Sequence, residues 1–306
     1  MNLVHMRYAV EVAKFGSLSR AAESLFVALP NVSRAIKGLE DELGIKIFDR
    51  TVKGVTLTPD GEEFILYAQA ILLQMNDLEK HYKSRLPKRR KFSVSVPRSC
   101  YVSEAFTQFS KTLGESGAEL YYKETNSQRT LQKLLTGEYK LGVIRCAEQY
   151  EKYFRSFFEE KDLACEVLVE FSYRLIMNRR HPLADREDIR YEDLAPYIEI
   201  VRGDPYVPTL PLPKVVREEL AESTDHRIFV FERGSQFNLL AENPETFMWV
   251  SPVPQKELDR FGLVEKQCAE NNKRYRDLLV WRNGYVFSEL DQRFVSELRE
   301  SIKRNF

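Results

Sequence analysis

The first ninety residues alternate between apolar repeats at helical spacing and short punctuating segments. Leu3, Met6, Val10 and Ala13 recur every three or four positions, which predicts an amphipathic helix over 2–15. Gly16 stops it, and Ser17 or Ser19 then caps a second short helix over 20–25 by offering a side-chain oxygen to the first free amides. The adjacent Ala21 and Ala22 let another helix approach closely. A third helix begins at Pro30, whose fixed φ suits a first turn, and runs over 30–42 with Val32, Ile36, Leu39 and Leu43 turned inward. Residues 46–58 read as two short strands around a glycine-containing turn. A long helix follows, with Thr58 as cap, Pro59 in the first turn, and Asp60, Glu62 and Glu63 near the positive end of its dipole. Along it Phe64, Ala68, Ile71, Met75, Leu78 and Tyr82 form a heptad seam, suited to an identical helix or to lying on its own domain. The helix should end near Arg85, before a basic hinge over 87–91 that either touches phosphate or is simply solvated.

Beyond the hinge the texture changes to short β-rich runs alternating with helical ones. Strands are predicted at 92–96, 119–123, 141–144, 165–177, 197–201, 228–232, 247–250 and 277–281, and helices at 103–113, 127–136 and 288–303. Strand–helix–strand order implies right-handed crossovers and an α/β sheet. The expected fold is therefore α/β overall, with a mainly helical winged helix-turn-helix in front.

Composition narrows the class without changing the picture. The 306 residues are 43% hydrophobic and 30% charged, as in a soluble globular protein of more than one domain. No apolar run approaches the ~20 residues that span a bilayer, and no secretory signal opens the chain, so a cytoplasmic protein without a membrane partner is expected. The zero net charge conceals an uneven distribution: residues 1–91 carry 15 Lys and Arg against 11 Asp and Glu, and the rest carries 31 against 35. A cationic head on an anionic body fits a part that meets phosphate and a part that does not.

The candidate chemistry follows this division. On the third helix Pro30, Asn31, Ser33, Arg34 and Lys37 lie away from the core, with short hydrogen-bonding residues first and long cations after, as the end of a helix that reads base edges requires. Arg50 and Lys53 sit at the hairpin tip, within reach of a sugar–phosphate backbone, although each cation alone reads equally well as solvated surface. Cys100, Cys146, Cys165 and Cys268 are scattered, the four histidines are dispersed, and no metal or cofactor is expected. No nucleophile elbow, phosphate loop or dinucleotide fingerprint is present, so an enzyme is not expected.

Several stretches have fixed spacings that resemble one family. Phe15-Gly16-Ser17-Leu18-Ser19-Arg20-Ala21-Ala22, then Pro30-x-x-Ser33-Arg34-x-Ile36-x-x-Leu39-Glu40-x-Glu42-Leu43-Gly44, Phe48-x-Arg50 and Leu57-Thr58-x-x-Gly61 are similar to the DNA-binding domain of LysR-type transcriptional regulators. The resemblance implies a winged helix-turn-helix over 1–60, with its helix-turn-helix at about 18–37, and a dimerising linker helix over 59–87. DNA contacts are implied at Arg20, Pro30, Asn31, Ser33, Arg34, Lys37, Arg50 and Lys53. One departure is clear: the family usually has Ser-Gln before the proline, and here Ala28-Leu29 stands there. The serine's cap is lost, at a cost of ~1 kcal/mol, and Leu29 either meets a thymine methyl or packs.

The remainder is similar to the periplasmic-binding-protein-like effector domain of the same family, over 92–306. The resemblance implies one subdomain at about 92–164 and 267–306, a second at 165–266, and chain crossings near 162–166 and 265–269. Leu134-Leu135-x-Gly137, His181-Pro182-Leu183-Ala184 and Leu278-x-Val280-Trp281-Arg282 carry it, whereas 241–247 departs from the usual glycine-rich stretch. Ligands in such sheets sit beyond the carboxyl ends of the strands, often against helix N-termini. That selects Arg98, Ser99, Cys100, Thr125, Asn126, Arg145, Arg202 and Gly203. Three arginines converging there would take a small anionic metabolite, unless each is a salt bridge or is solvated. The expected activity is promoter binding at an inverted repeat by a homodimer or homotetramer controlled by that effector, with RNA polymerase as a further partner. Two alternatives on the same scaffold stay open, a ligand-independent regulator and a thiol redox sensor pairing Cys100 with Cys146.

Overall fold

The computed structural model describes residues 2–51, 54–83, 90–114, 117–204, 224 and 226–306; the side chains of 50, 51, 77 and 80–83 are not among those described. Contacts divide the chain into two units, Met1–Lys88 with Lys133–Tyr139, and Arg89–Gln132 with Lys140–Phe306.

The N-terminal unit begins with α1 (Leu3–Phe15), capped by the Asn2 side chain accepting from Val4 N at 2.8 Å and closed by Gly16 at φ 59°. Ser17 caps α2 (Leu18–Ser24), so of the two candidate caps the first serves and the helix starts two residues earlier than expected. α3 (Leu29–Leu43) has Pro30 in its first turn and no side-chain cap at Ala28. β1 (Phe48–Thr51) pairs antiparallel with β2 (Gly54–Leu57), and α4 (Pro59–Lys83) follows. Met6, Ala9, Val12, Ala21, Ala22, Val32, Ile36, Leu39, Ile47, Phe48, Phe64, Ile65 and Ala68 close one core among these elements. Two glycines set its tightest contacts. A Cβ on Gly61 would stand 2.0 Å from the Ile47 carbonyl oxygen, and one on Gly54, at φ 133°, would stand 2.7 Å from the Gly16 oxygen.

The C-terminal unit holds two five-stranded sheets. The first, in the order β4-β3-β5-β12-β6, comprises β3 (Arg90–Val96), β4 (Ala118–Glu124), β5 (Leu141–Ala147), β6 (Leu163–Ser172) and β12 (Arg274–Arg282). β3 runs parallel to β4 and β5, as the βαβ pattern predicts, and β12 runs antiparallel to β5 and β6. Helices α5 (Cys100–Lys111), α6 (Ser127–Leu135) and α7 (Glu151–Glu160) connect these strands. The second sheet, in the order β11-β7-β10-β8-β9, comprises β7 (Arg174–Asn178), β8 (Ile198–Arg202), β9 (Arg227–Val230), β10 (Thr246–Val250) and β11 (Leu263–Lys266), with α8 (Arg233–Glu242) and α9 (Gln255–Phe261) between them. The closing helix α10 (Glu289–Asn305) starts in a reciprocal Ser288–Asp291 capping box. It packs with α5 on the first sheet through Tyr101, Phe109, Phe294 and Leu298.

The single strand expected at 165–177 is two strands in different sheets. β6 pairs with β12 along its whole length, so the chain leaves the first sheet at Tyr173, and the expected crossing at 162–166 moves to 172–174. The boundary of the first subdomain at 164 is corrected accordingly. The return lies between β11 and β12, next to the expected 265–269. No described helix is long and apolar enough to cross a membrane.

Candidate functional site

The N-terminal unit presents one edge of α3. Because Val32, Ala35, Ile36 and Leu39 are buried on the opposite side, the 3.6-residue period turns Pro30, Asn31, Arg34 and Lys37 into solvent. Arg34 is held along the helix, Nη2 donating to Asn31 Oδ1 at 2.8 Å and Nε to the Pro30 carbonyl at 3.3 Å. That contact orients the guanidinium before any partner arrives. Ser33 is half-buried, and Arg20 is exposed on α2. The backbone of Arg50 lies in β1, while its side chain and the whole of Lys53 lie outside the described residues. Sequence reasoning missed Phe26: it adopts φ 55° in the turn before α3 and is 95% exposed. A large apolar residue in the left-handed region is the signal that marks it. Leu29 is also exposed, so it does not pack as the alternative reading allowed.

The heptad seam on α4 is divided. Phe64 and Ala68 are buried in the N-terminal core and so are not available to a second helix, a correction to their assignment as dimerisation residues. Ile71 and Leu78 are exposed, Leu78 to 58%, and Met75 is half-buried. The Tyr82 side chain lies outside the described residues. A helix lying on its own domain and a coiled coil use the same spacing, and this helix does the first at its start and leaves apolar residues exposed further along.

In the C-terminal unit a cavity of about 120 Å³ opens where β3, β5 and β8 end. Of the eight residues expected there, Arg98, Thr125, Asn126, Arg145 and Arg202 line it. Ser99, Cys100 and Gly203 are not among the residues that line it. The Ser99 hydroxyl lies 3.3 Å from that of Ser251, the Cys100 thiol accepts from Arg233 Nη2 at 3.2 Å within the second sheet's core, and Gly203 sits against the Phe231 ring, which a Cβ would meet at 2.5 Å. Asp204, Ser127 and the aromatic wall of Tyr150, Phe154, Tyr173 and Tyr275 line the cavity and were not legible beforehand.

Two of the three arginines are already paired. Arg98 grips Asp204 with Nη1 and Nη2 at 2.8 and 3.2 Å. Arg145, its side chain 7% exposed, grips Asp277 with Nε and Nη2 at 2.8 and 2.7 Å, and Asp277 is fully buried. Tyr101 donates to the same carboxylate at 2.6 Å, and the Arg145 guanidinium lies 4.7 Å from the Phe171 ring centroid. Burial works against the charge on Arg145, but the Asp277 carboxylate outweighs it and raises the pKa above the ordinary arginine value. Arg202 has a different set of contacts. Its Nη2 donates to the Arg98 carbonyl at 2.7 Å, its Nε is sealed without a partner, and no described carboxylate pairs with it. Burial pushes its pKa down, and the guanidiniums of Arg145, Arg98 and Arg233 push the same way.

All four cysteines are unbridged thiols. Burial raises the pKa of Cys100, with Arg233 only partly opposing it, and burial together with Asp277 pushes Cys146 up to about 12. Such thiols stay protonated and are poor nucleophiles. Among the described residues no group of three or more His, Cys, Asp or Glu is placed to hold a metal ion.

Residues 3–62 match a family model described as a bacterial regulatory helix-turn-helix protein of the lysR family. The chain is 40% identical over 98 residues to an uncharacterized HTH-type transcriptional regulator, YcgK, of Bacillus subtilis, a match spanning 32% of this chain and 30% of that protein. It is 23% identical over 267 residues to the transcriptional regulator AlsR of the same organism, spanning 86% of this chain and 83% of the other. In architecture it is similar to the full-length regulator LysG of Corynebacterium glutamicum, solved with a bound arginine effector, with a TM-score of 0.58, 15% identity and coverage of 100% and 99% of the two chains.

Proposed function

We infer what this chain does from what it is, a LysR-type transcriptional regulator: it binds promoter DNA, pairs with a second copy, and answers to a small anion. The observation that carries the reading is the exposed edge of α3, on which Pro30, Asn31, Arg34 and Lys37 stand clear of a helix whose opposite edge is sealed in the core. In this reading α3 enters the major groove, Ser33 and Arg34 meet base edges, and Arg20, Lys37, Arg50 and Lys53 hold phosphates. A single winged helix reads one half-site. A second copy, joined through the exposed Ile71, Met75 and Leu78 of α4, gives an inverted repeat of fixed spacing. Within the cleft Asp204 is held by Arg98, so the described lining offers an anion site rather than the unpaired acid and base that catalysis needs. An anion drawn into the cleft changes the angle between the two sheets, and with it the spacing of the DNA-binding heads. Contact of the bound oligomer with RNA polymerase, in the cytoplasm, belongs to the same proposal.

The test compares two variants on a selected DNA site and on scrambled DNA. Arg34→Ala is expected to cost about 1–3 kcal/mol on the selected site and to blur its sequence preference. Lys37→Ala should weaken all sequences alike and reduce the slope of log affinity against log salt by about 1. Equal, sequence-independent losses in both variants would show that the roles are wrongly assigned.

A further inference from the structure

Among the described residues, four largely buried arginines around the cleft meet three carboxylates. Arg98 is paired with Asp204, which the 61% exposed Arg129 also approaches at 3.6 Å, Arg145 is paired with Asp277, and Arg233, nearby, with Glu124 at 2.6 Å. Arg202 alone has a backbone carbonyl in place of a carboxylate among the described residues. A buried guanidinium without a counterion is costly to fold, because desolvation is not offset by Coulomb attraction. Thr125 lines the same cavity as Arg202, and its hydroxyl, in a residue 3% exposed, makes no hydrogen bond among the described residues. Thr125 immediately precedes Asn126, whose side chain accepts from Arg129 N at 2.9 Å and so starts α6 here, with the positive end of the helix dipole at the cavity. The volume of about 120 Å³ is smaller than the ~150 Å³ that accepts benzene in an engineered protein cavity.

We propose that this cleft is built for a small monocarboxylate, its single charge on Arg202 and the Thr125 hydroxyl and its apolar end against Phe154 and Tyr173. The inference rests on the reading of this cleft as the effector site and specifies what that site accepts. One negative charge completes the neutralisation of the buried arginines, whereas a second meets only the exposed, solvent-screened Arg129 and would face the Asp204 carboxylate, which also lines the cavity. The charge count therefore selects against dicarboxylates and phosphate. The volume suits an occupant of about six heavy atoms.

Calorimetric titration of the full-length protein at constant ionic strength tests this, with propionate and butyrate set against malonate, succinate and inorganic phosphate. The monocarboxylates should bind at least about tenfold more tightly than the dianions, and Arg202→Gln should remove at least that factor while Arg202→Lys keeps part of it. Without ligand, Arg202→Gln should melt no lower than the parent protein, since it removes an uncompensated charge, which replacement of a merely structural arginine would not do. Asp204→Asn, which leaves Arg98 unpaired, should shift the preference toward dicarboxylates. Tighter binding of the dianions by the parent protein would overturn the charge count and leave the anion-effector reading standing. So would unchanged monocarboxylate affinity in Arg202→Gln. Failure of every anion to bind would overturn both.

Discussion

Asp277→Asn isolates the electrostatics of the C-terminal core. Asp277 lies directly across from Arg145 in the β5–β12 pairing, is 0% exposed, and accepts from both Arg145 and Tyr101. The amide can still accept one hydrogen bond, but it leaves a guanidinium in a site closed by Phe171 and Tyr173 with no opposing charge. Breaking one side of a buried pair typically costs about 3–5 kcal/mol. For a unit of this size each kcal/mol lowers the melting temperature by roughly 2–4 °C, so a fall of about 6–20 °C is expected. Both tryptophans, Trp249 on β10 and Trp281 on β12, lie in this unit, and their fluorescence during a melt reports it separately from the DNA-binding unit. Adding Arg145→Met removes the stranded cation and should restore at least about 2 kcal/mol. A fall of less than about 2 °C in the single variant, or a further fall in the double, would refute the view that the pair acts as one neutral unit.

Other expected outcomes touch the rest of the molecule. Gly61→Ala places a methyl group 2.0 Å from the Ile47 carbonyl and should cost about 1–3 kcal/mol of N-terminal stability with loss of DNA binding; a parent-like circular dichroism melt would contradict this packing. His181 is buried against Tyr197, and burial lowers its pKa from 6.5 to about 4. The folded state then binds fewer protons than the unfolded one, so stability present above pH 6.5 is lost as the pH falls toward 4, by up to about 3 kcal/mol. His181→Asn should flatten that slope in pH-dependent melts, and an unchanged slope would assign it elsewhere. Mild peroxide should leave Cys100 and Cys146 unbridged in non-reducing mass spectrometry, because burial keeps both thiols protonated. A Cys100–Cys146 disulfide would restore the redox alternative.

The helices of the N-terminal unit were legible because periodicity, caps and Pro30 all agree there, and each helix begins within two residues of its predicted start. The heptad seam was legible as a spacing, but its partner was not. Phe64 and Ala68 satisfy a coiled coil and a domain core equally well, and only the tertiary fold decides. The run over 165–177 reads as continuous strand because the change of sheet occurs at a single residue, Tyr173, which leaves no break in composition. Of the eight residues that strand ends pointed to, five line the cleft, since topology alone carries them there. Ion pairing was not readable, because the partners of Arg98 and Arg145 stand 106 and 132 residues away. Asp277, a lone acid inside the apolar run 277–281, was the available sign that a buried cation must face it.

The central claim, a paired DNA reader built on α3, is tested most directly by selecting sites for the purified full-length protein from a random DNA library. The account predicts enrichment of an inverted repeat whose half-sites lie one helical turn, or a multiple of it, apart. The enrichment should be lost in Arg34→Ala and should change when a bound anion occupies the cleft. Recovery of unenriched sequences, or of a single unrepeated half-site, would contradict it.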